Sequence, residues 1–337
     1  MRWLGLDIGG ANLKAADGHG WARSVPFAMW QGPKRLADEL GALICGAPMA
    51  DRLAVTMTGE LCDCFRTKME GVRHILEAVS EAAADRELRV YLVDGRFVSW
   101  GEAFDNPQLA AASNWRALAE FACRYTEGRR ALLVDIGSTT TDIVPLVDGQ
   151  PRPVGLNDTE RLLAGELVYT GVCRTAICAL TQSLPWHGQE CPVTAELFAT
   201  TADAYVLLSE IAEQPEATCT ADGRPLTVEF ARERLARMIC ADVTSFEVED
   251  ARRAAESIRD RQIAQLRAAF MRNEAAFAKP FECVVISGEG EFLGRRVVRE
   301  LAIDAHVVSL AEELGSEVSR CAPAHALGVL AAEEFGP

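Results

Sequence analysis

The sequence predicts an α/β protein of two domains, each opening on a glycine-turned β-hairpin. Three observations predict it. Leu4-Gly5-Leu6-Asp7-Ile8-Gly9-Gly10-Ala11-Asn12-Leu13-Lys14 is an apolar strand that ends in an acid and two glycines. Leu132-Leu133-Val134-Asp135-Ile136-Gly137-Ser138-Thr139-Thr140-Thr141-Asp142-Ile143 restates it, with Asp135 for Asp7, Ile136 for Ile8 and Gly137 for Gly9. Strand and helix patterns then alternate along 337 residues, a length that suggests two domains, each able to bury a core.

Each hairpin reads as a buried strand, a tight turn and a second strand. Glycine brings the N–H groups of the turn close to an anion, because no Cβ intervenes. A carboxylate at the strand end can hold hydrated Mg²⁺ against phosphate oxygens. One such hairpin could be an ordinary turn; two in the same frame predict a phosphate clamp.

Between the hairpins, residues 34–45 have helical spacing and end near Gly46. Leu53-Ala54-Val55-Thr56-Met57-Thr58 is a strand running out at Gly59-Glu60. Glu60 therefore sits at the carboxyl end of a strand, where open α/β sheets bind ligands. Residues 68–84 read as a helix, 90–94 as a strand, 97–114 as irregular chain with a turn at Asn106-Pro107, and 115–125 as a helix closed by Gly128.

The second hairpin runs to Val147, and Asp148-Gly149 is a two-residue turn of hairpin type. Gly165-Glu166-Leu167 echoes Gly59-Glu60-Leu61. Residues 196–213 have helical spacing, 218–225 form a polar loop turning at Asp222-Gly223, and two helical blocks follow at 227–241 and 248–277. The longer block has Ala254, Ile258, Ile263, Leu266 and Phe270 on one face, the pattern of core packing. Glu282 to Ile286 is a buried strand leading into Ser287-Gly288-Glu289-Gly290, where glycines allow a ring or a phosphate to approach the backbone. His306-Val307-Val308 is a further strand, and 323–335 a closing helix whose Ala324, Ala326 and Gly328 permit close packing.

A formal charge of −15 argues against a nucleic-acid partner, which needs a Lys/Arg surplus. It leaves room for a small phosphorylated ligand. No leader segment and no apolar run of the ~18 residues that span a membrane is visible. The eleven cysteines are expected to be reduced thiols, and the expected compartment is the cytoplasm. Cys62-Asp63-Cys64 and His187-Gly188-Gln189-Glu190-Cys191 lack the paired spacing of a zinc site.

The order of Asp-Ile-Gly-Gly, then Asp-Ile-Gly-Ser-Thr-Thr-Thr-Asp, then Ser-Gly-Glu-Gly resembles the two phosphate motifs and the adenosine motif of the actin, sugar kinase and Hsp70 superfamily. The resemblance spans most of the chain. It implies an actin-like ATPase, ribonuclease H-like fold with an interdomain cleft. It also implies a first domain of residues 1–128 rejoined by 322–337, and a second of 129–321 with a helical insertion around 190–280. Gly137 to Asp142 is similar to the hydantoinase A and oxoprolinase branch. Asp7 to Lys14, Thr56-Met57-Thr58-Gly59-Glu60-Leu61, Ala199-Thr200-Thr201-Ala202-Asp203, Ala221-Asp222-Gly223-Arg224-Pro225-Leu226-Thr227 and the run 232–242 resemble a smaller family. That family comprises the tetrahydromethanopterin-linked one-carbon transfer pathway proteins, whose archaeal relatives make a methanofuran precursor.

The resemblance implies a transferase that joins a furanylmethylamine diphosphate to the phenol of γ-glutamyltyramine, or a related tyramine, releasing diphosphate. Asp7 and Asp135, with Asp142, are the expected Mg²⁺ carboxylates. Gly9, Gly10, Asn12, Gly137, Ser138, Thr139 and Thr140 are the expected phosphate turns, and Lys14 is an added positive charge. Glu60, Lys68 and Glu166 are the candidates for activating the phenol. Ser287, Gly288, Glu289 and Gly290 correspond to the adenosine pocket, here free to hold an organic part of the substrate. ATP is admitted but not required, and homo-oligomerisation is left open. Two rivals share these motifs: an ATP-dependent kinase or amide-ring hydrolase, and a nucleotide-gated interaction protein of actin or Hsp70 type.

Overall fold

The computed structural model describes residues 2–217, 219–277, 280–302 and 304–336. The first sheet contains β1 (Trp3–Ile8), β2 (Asn12–Ala16), β3 (Ala22–Pro26), β4 (Arg52–Met57), β5 (Glu87–Tyr91) and β6 (Phe97–Ser99), in the order β3-β2-β1-β4-β5-β6. In the second half come β7 (Ala131–Ile136), β8 (Thr141–Val147), β9 (Gln150–Pro151) and β10 (Leu167–Val168). They are followed by β11 (Ser183–Trp186), β12 (Gln189–Pro192), β13 (Cys283–Ser287) and β14 (His306–Ser309). The second sheet runs β10-β8-β7-β13-β14, with β9 on β8, while β11 and β12 form a separate hairpin. In both large sheets antiparallel strands lead into parallel ones: β1 pairs antiparallel with β2 and parallel with β4, and β7 antiparallel with β8 and parallel with β13. This is the ribonuclease H-like arrangement, present twice, and together the two make the actin-like fold.

The central strands are continuous apolar runs because helices cover both faces. Leu4, Leu6 and Ile8 of β1 and Val284, Val285 and Ile286 of β13 are fully buried. Two helices, Asn114–Ala122 and Ala322–Phe335, share one buried cluster with Trp3 and Ala54 of the first sheet and Leu133, Val144 and Val285 of the second. That cluster ties the two halves together beneath the carboxyl ends of β1 and β7. The closing helix lies directly on β1: a Cβ at Gly5 would stand 1.9 Å from the Ala324 carbonyl oxygen.

Several elements depart from the sequence reading. Residues 97–114, expected to be irregular, hold β6 and the short helices Trp100–Asp105 and Pro107–Ala110. Phe97 and Val98 pair with Tyr91 and Val90, and the Ser99 hydroxyl accepts from Glu102 N, so a hairpin feeds directly into a capped helix. The helix expected over 196–213 is only Thr201–Leu207. Thr200 and Asp203 form its capping box, and Ser209 ends the segment in the left-handed region at φ 57°. The β11–β12 hairpin was not foreseen. His187 and Gly188, both at positive φ, are its turn, so the His-Gly-Gln-Glu-Cys run is the tip and return strand of a hairpin. In the loop expected at 218–225, Thr218 lies outside the described residues, and Gly223 has φ 73° at the expected turn.

Candidate active site

The two hairpins are built alike down to their register. In the first, Asp7 stands opposite Lys14, and Gly9 N–H donates to the Asn12 carbonyl at 3.0 Å. In the second, Asp135 stands opposite Asp142, and Gly137 N–H donates to the Thr140 carbonyl at 2.9 Å. The duplication therefore replaces a cation by an acid at one equivalent position.

Both turns open on one cavity of about 660 Å³ between the domains. Asp7, Gly9, Gly10, Asn12, Lys14 and Glu60 line it from the first domain, and Asp135, Gly137, Ser138, Thr139, Thr140 and Asp142 from the second. Its size falls within the range of about 300–1,000 Å³ usual for ligand pockets.

The electrostatics are those of crowded, dry acids. Burial pushes the Asp7 carboxyl up, opposed by Lys14. Asp135 is pushed up to about 7, by burial and then by Asp142. Burial raises Asp142 as well, against the pull of Arg161, whose Nη1 donates to Asp142 Oδ1 at 2.8 Å. Burial works against the charge of Lys14, but Asp7, Glu289 and Asp135 outweigh it and hold the ammonium above its ordinary value. Six acids (Asp7, Glu60, Asp63, Asp135, Asp142, Asp158) and three bases (Lys14, Arg161, Arg174) line the cavity. Acids therefore outnumber bases on its walls.

Glu60 follows β4 and lines the same cavity, 1% exposed. Its Oε2 is buried with no protein partner, and burial pushes its carboxyl up to about 7. Lys68 lies 3.9 Å from Glu60 and 2.5 Å from Asp158, bridging the two domains. Glu166, the third candidate activator, does something else. It does not line the cavity, and its carboxylate accepts the backbone N–H groups of Val154 and Gly155 at 2.5 and 3.1 Å. Glu166 fastens a loop.

Ser287, Gly288, Glu289 and Gly290 are not among the residues lining this cavity. They pack behind it. A Cβ at Gly288 would stand 2.4 Å from the Ile136 carbonyl oxygen and 2.7 Å from Asp135 Oδ1, and one at Gly290 would stand 2.3 Å from the Ile136 side chain. These glycines let β13 and its following helix close against the end of β7, so they position Asp135. Glu289 meets Cys173 Sγ at 3.6 Å.

The sequence reading missed Arg161, Trp115, Asp158, Trp30 and Arg174, all of which line the cavity. Arg161 is 1% exposed, pairs with Asp142 and lies 4.0 Å over the Trp115 ring. Only the fold brings these together; no local spacing marks them.

Among the described residues no group of three or more His, Cys, Asp or Glu converges to ligate a metal directly. The donors that do face the cavity, Asp7 with its unpartnered buried Oδ1 and the raised carboxyls of Asp135 and Asp142, suit a hard cation that keeps part of its water shell.

Two ribonuclease H-like domains with matched glycine turns facing across a cleft define an actin-like protein. Residues 51–329 match the hydantoinase/oxoprolinase family. The chain is 32% identical over 332 residues to the (4-{4-[2-(gamma-L-glutamylamino)ethyl]phenoxymethyl}furan-2-yl)methanamine synthase of Methanocaldococcus jannaschii, covering 97% of this chain and 96% of that one. The synthase of the same name from Methanococcus vannielii is 29% identical over 221 residues, 64% of this chain and 97% of that one. The nucleotide-free structure of acetone carboxylase, reported with a mechanism of ATP-dependent acetone carboxylation, superposes with a TM-score of 0.52 at 11% identity, covering 97% of this chain and 70% of that one. It shares the fold. The chain belongs to the hydantoinase/oxoprolinase family and, within it, to the family of these furan-methanamine synthases.

Proposed function

We propose that the protein is a transferase of methanofuran biosynthesis, condensing (5-aminomethylfuran-3-yl)methyl diphosphate with γ-glutamyltyramine or a related tyramine phenol. The observation that carries this reading is the full-length similarity to a synthase named for that ether product. The cleft supports it, since two opposed glycine turns suit the two phosphates of one leaving group.

In the reaction the phenol oxygen bonds to the furanylmethyl carbon as the bond from that carbon to the bridging oxygen breaks. The products are the aryl ether and diphosphate, and the phenolic proton passes to a base. The N–H groups of Gly9 and Gly137 close their own turns, which leaves the N–H groups of Gly10 on one side, and of Ser138 and Thr139 on the other, to take the oxygens of the departing diphosphate. The hydroxyls of Thr139 and Thr140 assist. Lys14 adds charge where negative charge grows, and such preorganised donors supply several kcal/mol of stabilisation. Mg²⁺, held through water by Asp7 and Asp135 with Asp142 nearby, would neutralise the diphosphate. Glu60, poised at about 7, is the group chosen to accept the proton of a phenol whose solution pKa is near ~10. The reading places this chemistry in the cytoplasm, where the eleven unpaired cysteines are stable.

The test is mass spectrometry of the purified protein with Mg²⁺ and both substrates, with and without ATP. Ether and diphosphate formed in equal amounts without ATP are expected. No ether, but ADP on addition of the phenol, would favour an ATP-dependent kinase or hydrolase.

A further inference from the structure

The cavity has a mouth as well as a floor, and the mouth carries its own charge pattern. At the floor, Asp7 is 3% and Asp142 7% exposed. At the rim, Arg174 and Asp63 are exposed yet still line the cavity, alongside Trp30, Tyr169 and Leu61. Lys14 is matched by Asp7 across the ladder, and Arg161 is paired with Asp142. Among the described residues no carboxylate pairs with Arg174. Its guanidinium lies 4.8 Å over the Trp30 ring, and its charge is felt at Cys62, next to Asp63.

The backbone fixes where Arg174 stands. It ends a strap, residues 171–174, laid on the second glycine turn: Val172 N–H donates to Gly137 O at 3.0 Å and Arg174 N–H to Ser138 O at 2.9 Å. The strap needs glycine at its start, since a Cβ at Gly171 would stand 2.5 Å from Gly137 O and Thr139 N. The Gly171 carbonyl accepts from Thr201 Oγ1 and Gln262 Nε2, both at 2.9 Å. Thr201 belongs to the Ala199-Thr200-Thr201-Ala202-Asp203 motif, which otherwise has no role at the floor. On the opposite wall, Phe27 N–H and Met29 N–H donate to Ala11 O and Gly10 O, both at 2.9 Å, and so carry Trp30 to the rim. Each glycine turn thus supports a strap, and the two straps meet at the mouth.

We propose that Arg174 and Asp63 are the recognition site for the free α-amino-acid head of the acceptor, Arg174 taking its carboxylate and Asp63 its ammonium. Among the described residues no ion pair within 4.0 Å joins these two side chains, so both charges on the cavity lining are open to a ligand. This rests on the reading of the acceptor as a γ-glutamyl phenol, whose tail leaves the cavity while the phenol faces the floor. Arg174 suits a carboxylate because its fork can bind both oxygens at once.

The experiment is calorimetric titration of the protein, saturated with Mg²⁺ and inorganic diphosphate, with γ-glutamyltyramine and separately with tyramine, which lacks the head. Wild type is expected to bind γ-glutamyltyramine more tightly. Arg174→Gln and Asp63→Asn should each weaken that binding by about 10- to 100-fold, leaving the weaker tyramine binding and the affinity for inorganic diphosphate unchanged. A wild type without that preference, variants that keep it, or variants that lose diphosphate instead would each overturn the assignment. Both residues are exposed, so folding is not at stake. Ether formed by a wild type that shows no preference for the head would refute this assignment alone, and head recognition without ether formation would refute the proposed reaction alone.

Discussion

Glu60→Gln should make the protein inactive and more stable at once. The carboxyl is 1% exposed, has an unpartnered oxygen, and is moved from its ordinary 4.5 to about 7 mainly by burial. At about 1.4 kcal/mol per pH unit, that displacement corresponds to about 3 kcal/mol of folding free energy lost when the group is charged. The sign follows from proton counting. Between pH 4.5 and 7 the folded state holds a proton that the unfolded state has released, so stability falls as pH rises through this window and levels off above it. Glutamine carries no such charge. The variant should therefore be stabilised by up to about 3 kcal/mol at pH 8, with the advantage shrinking toward zero near pH 4.5. Turnover should drop by about 10²- to 10⁴-fold, and the wild-type rate should climb with pH up to about 7 and then flatten. Thermal unfolding of both proteins from pH 5 to 8 and a pH–rate profile measure this. A variant less stable than wild type at pH 8, or a difference independent of pH, would show that Glu60 is a well-paired carboxylate and refute the reasoning.

Asp135→Asn should lower turnover by at least about 10³-fold while leaving the circular dichroism spectrum unchanged, because the neutral side chain removes a charge that burial and Asp142 already disfavour. Chelation of divalent cations should reduce ether formation to background and readdition of Mg²⁺ should restore it; undiminished turnover in EDTA would remove the metal from the site. Arg161→Met should cost about 3–5 kcal/mol in denaturant unfolding, since Asp142 is left buried without its partner at 2.8 Å. A loss below about 1 kcal/mol would mean that Asp142 is neutral in the folded protein.

The floor of the site was legible because its chemistry is local. Asp7 and Asp135 sit seven residues before Lys14 and Asp142, and a β-hairpin of that length must place them opposite one another. Glu60 was legible for the same reason, as the residue just past a buried strand. The Ser287 to Gly290 run was read as a pocket because a glycine pair after a strand has two uses, and sequence does not separate approach of a ligand from approach of another strand. Here the space is filled by Ile136. Glu166 misled through an echo of Glu60: a one-element motif repeated in a different loop geometry turned its carboxylate onto Val154 and Gly155. The rim was invisible. Trp30 and Arg174 are 144 residues apart in the chain and meet only because each rides on a strap bonded to its own turn. The 196–213 helix was overdrawn because apolar periodicity outweighed the capping box that starts it at Thr201.

Whether this cleft breaks a C–O bond or a P–O bond is decided by one labelled atom. With ¹⁸O in the bridging oxygen of the furanylmethyl diphosphate, attack by the phenol on the methylene carbon sends all of the label out with diphosphate and none into the ether. That is the predicted result. Label retained on a furanylmethyl alcohol, with unlabelled diphosphate or diphosphorylated acceptor as the other product, would show diphosphoryl transfer and contradict the assignment of the two glycine turns to a leaving group.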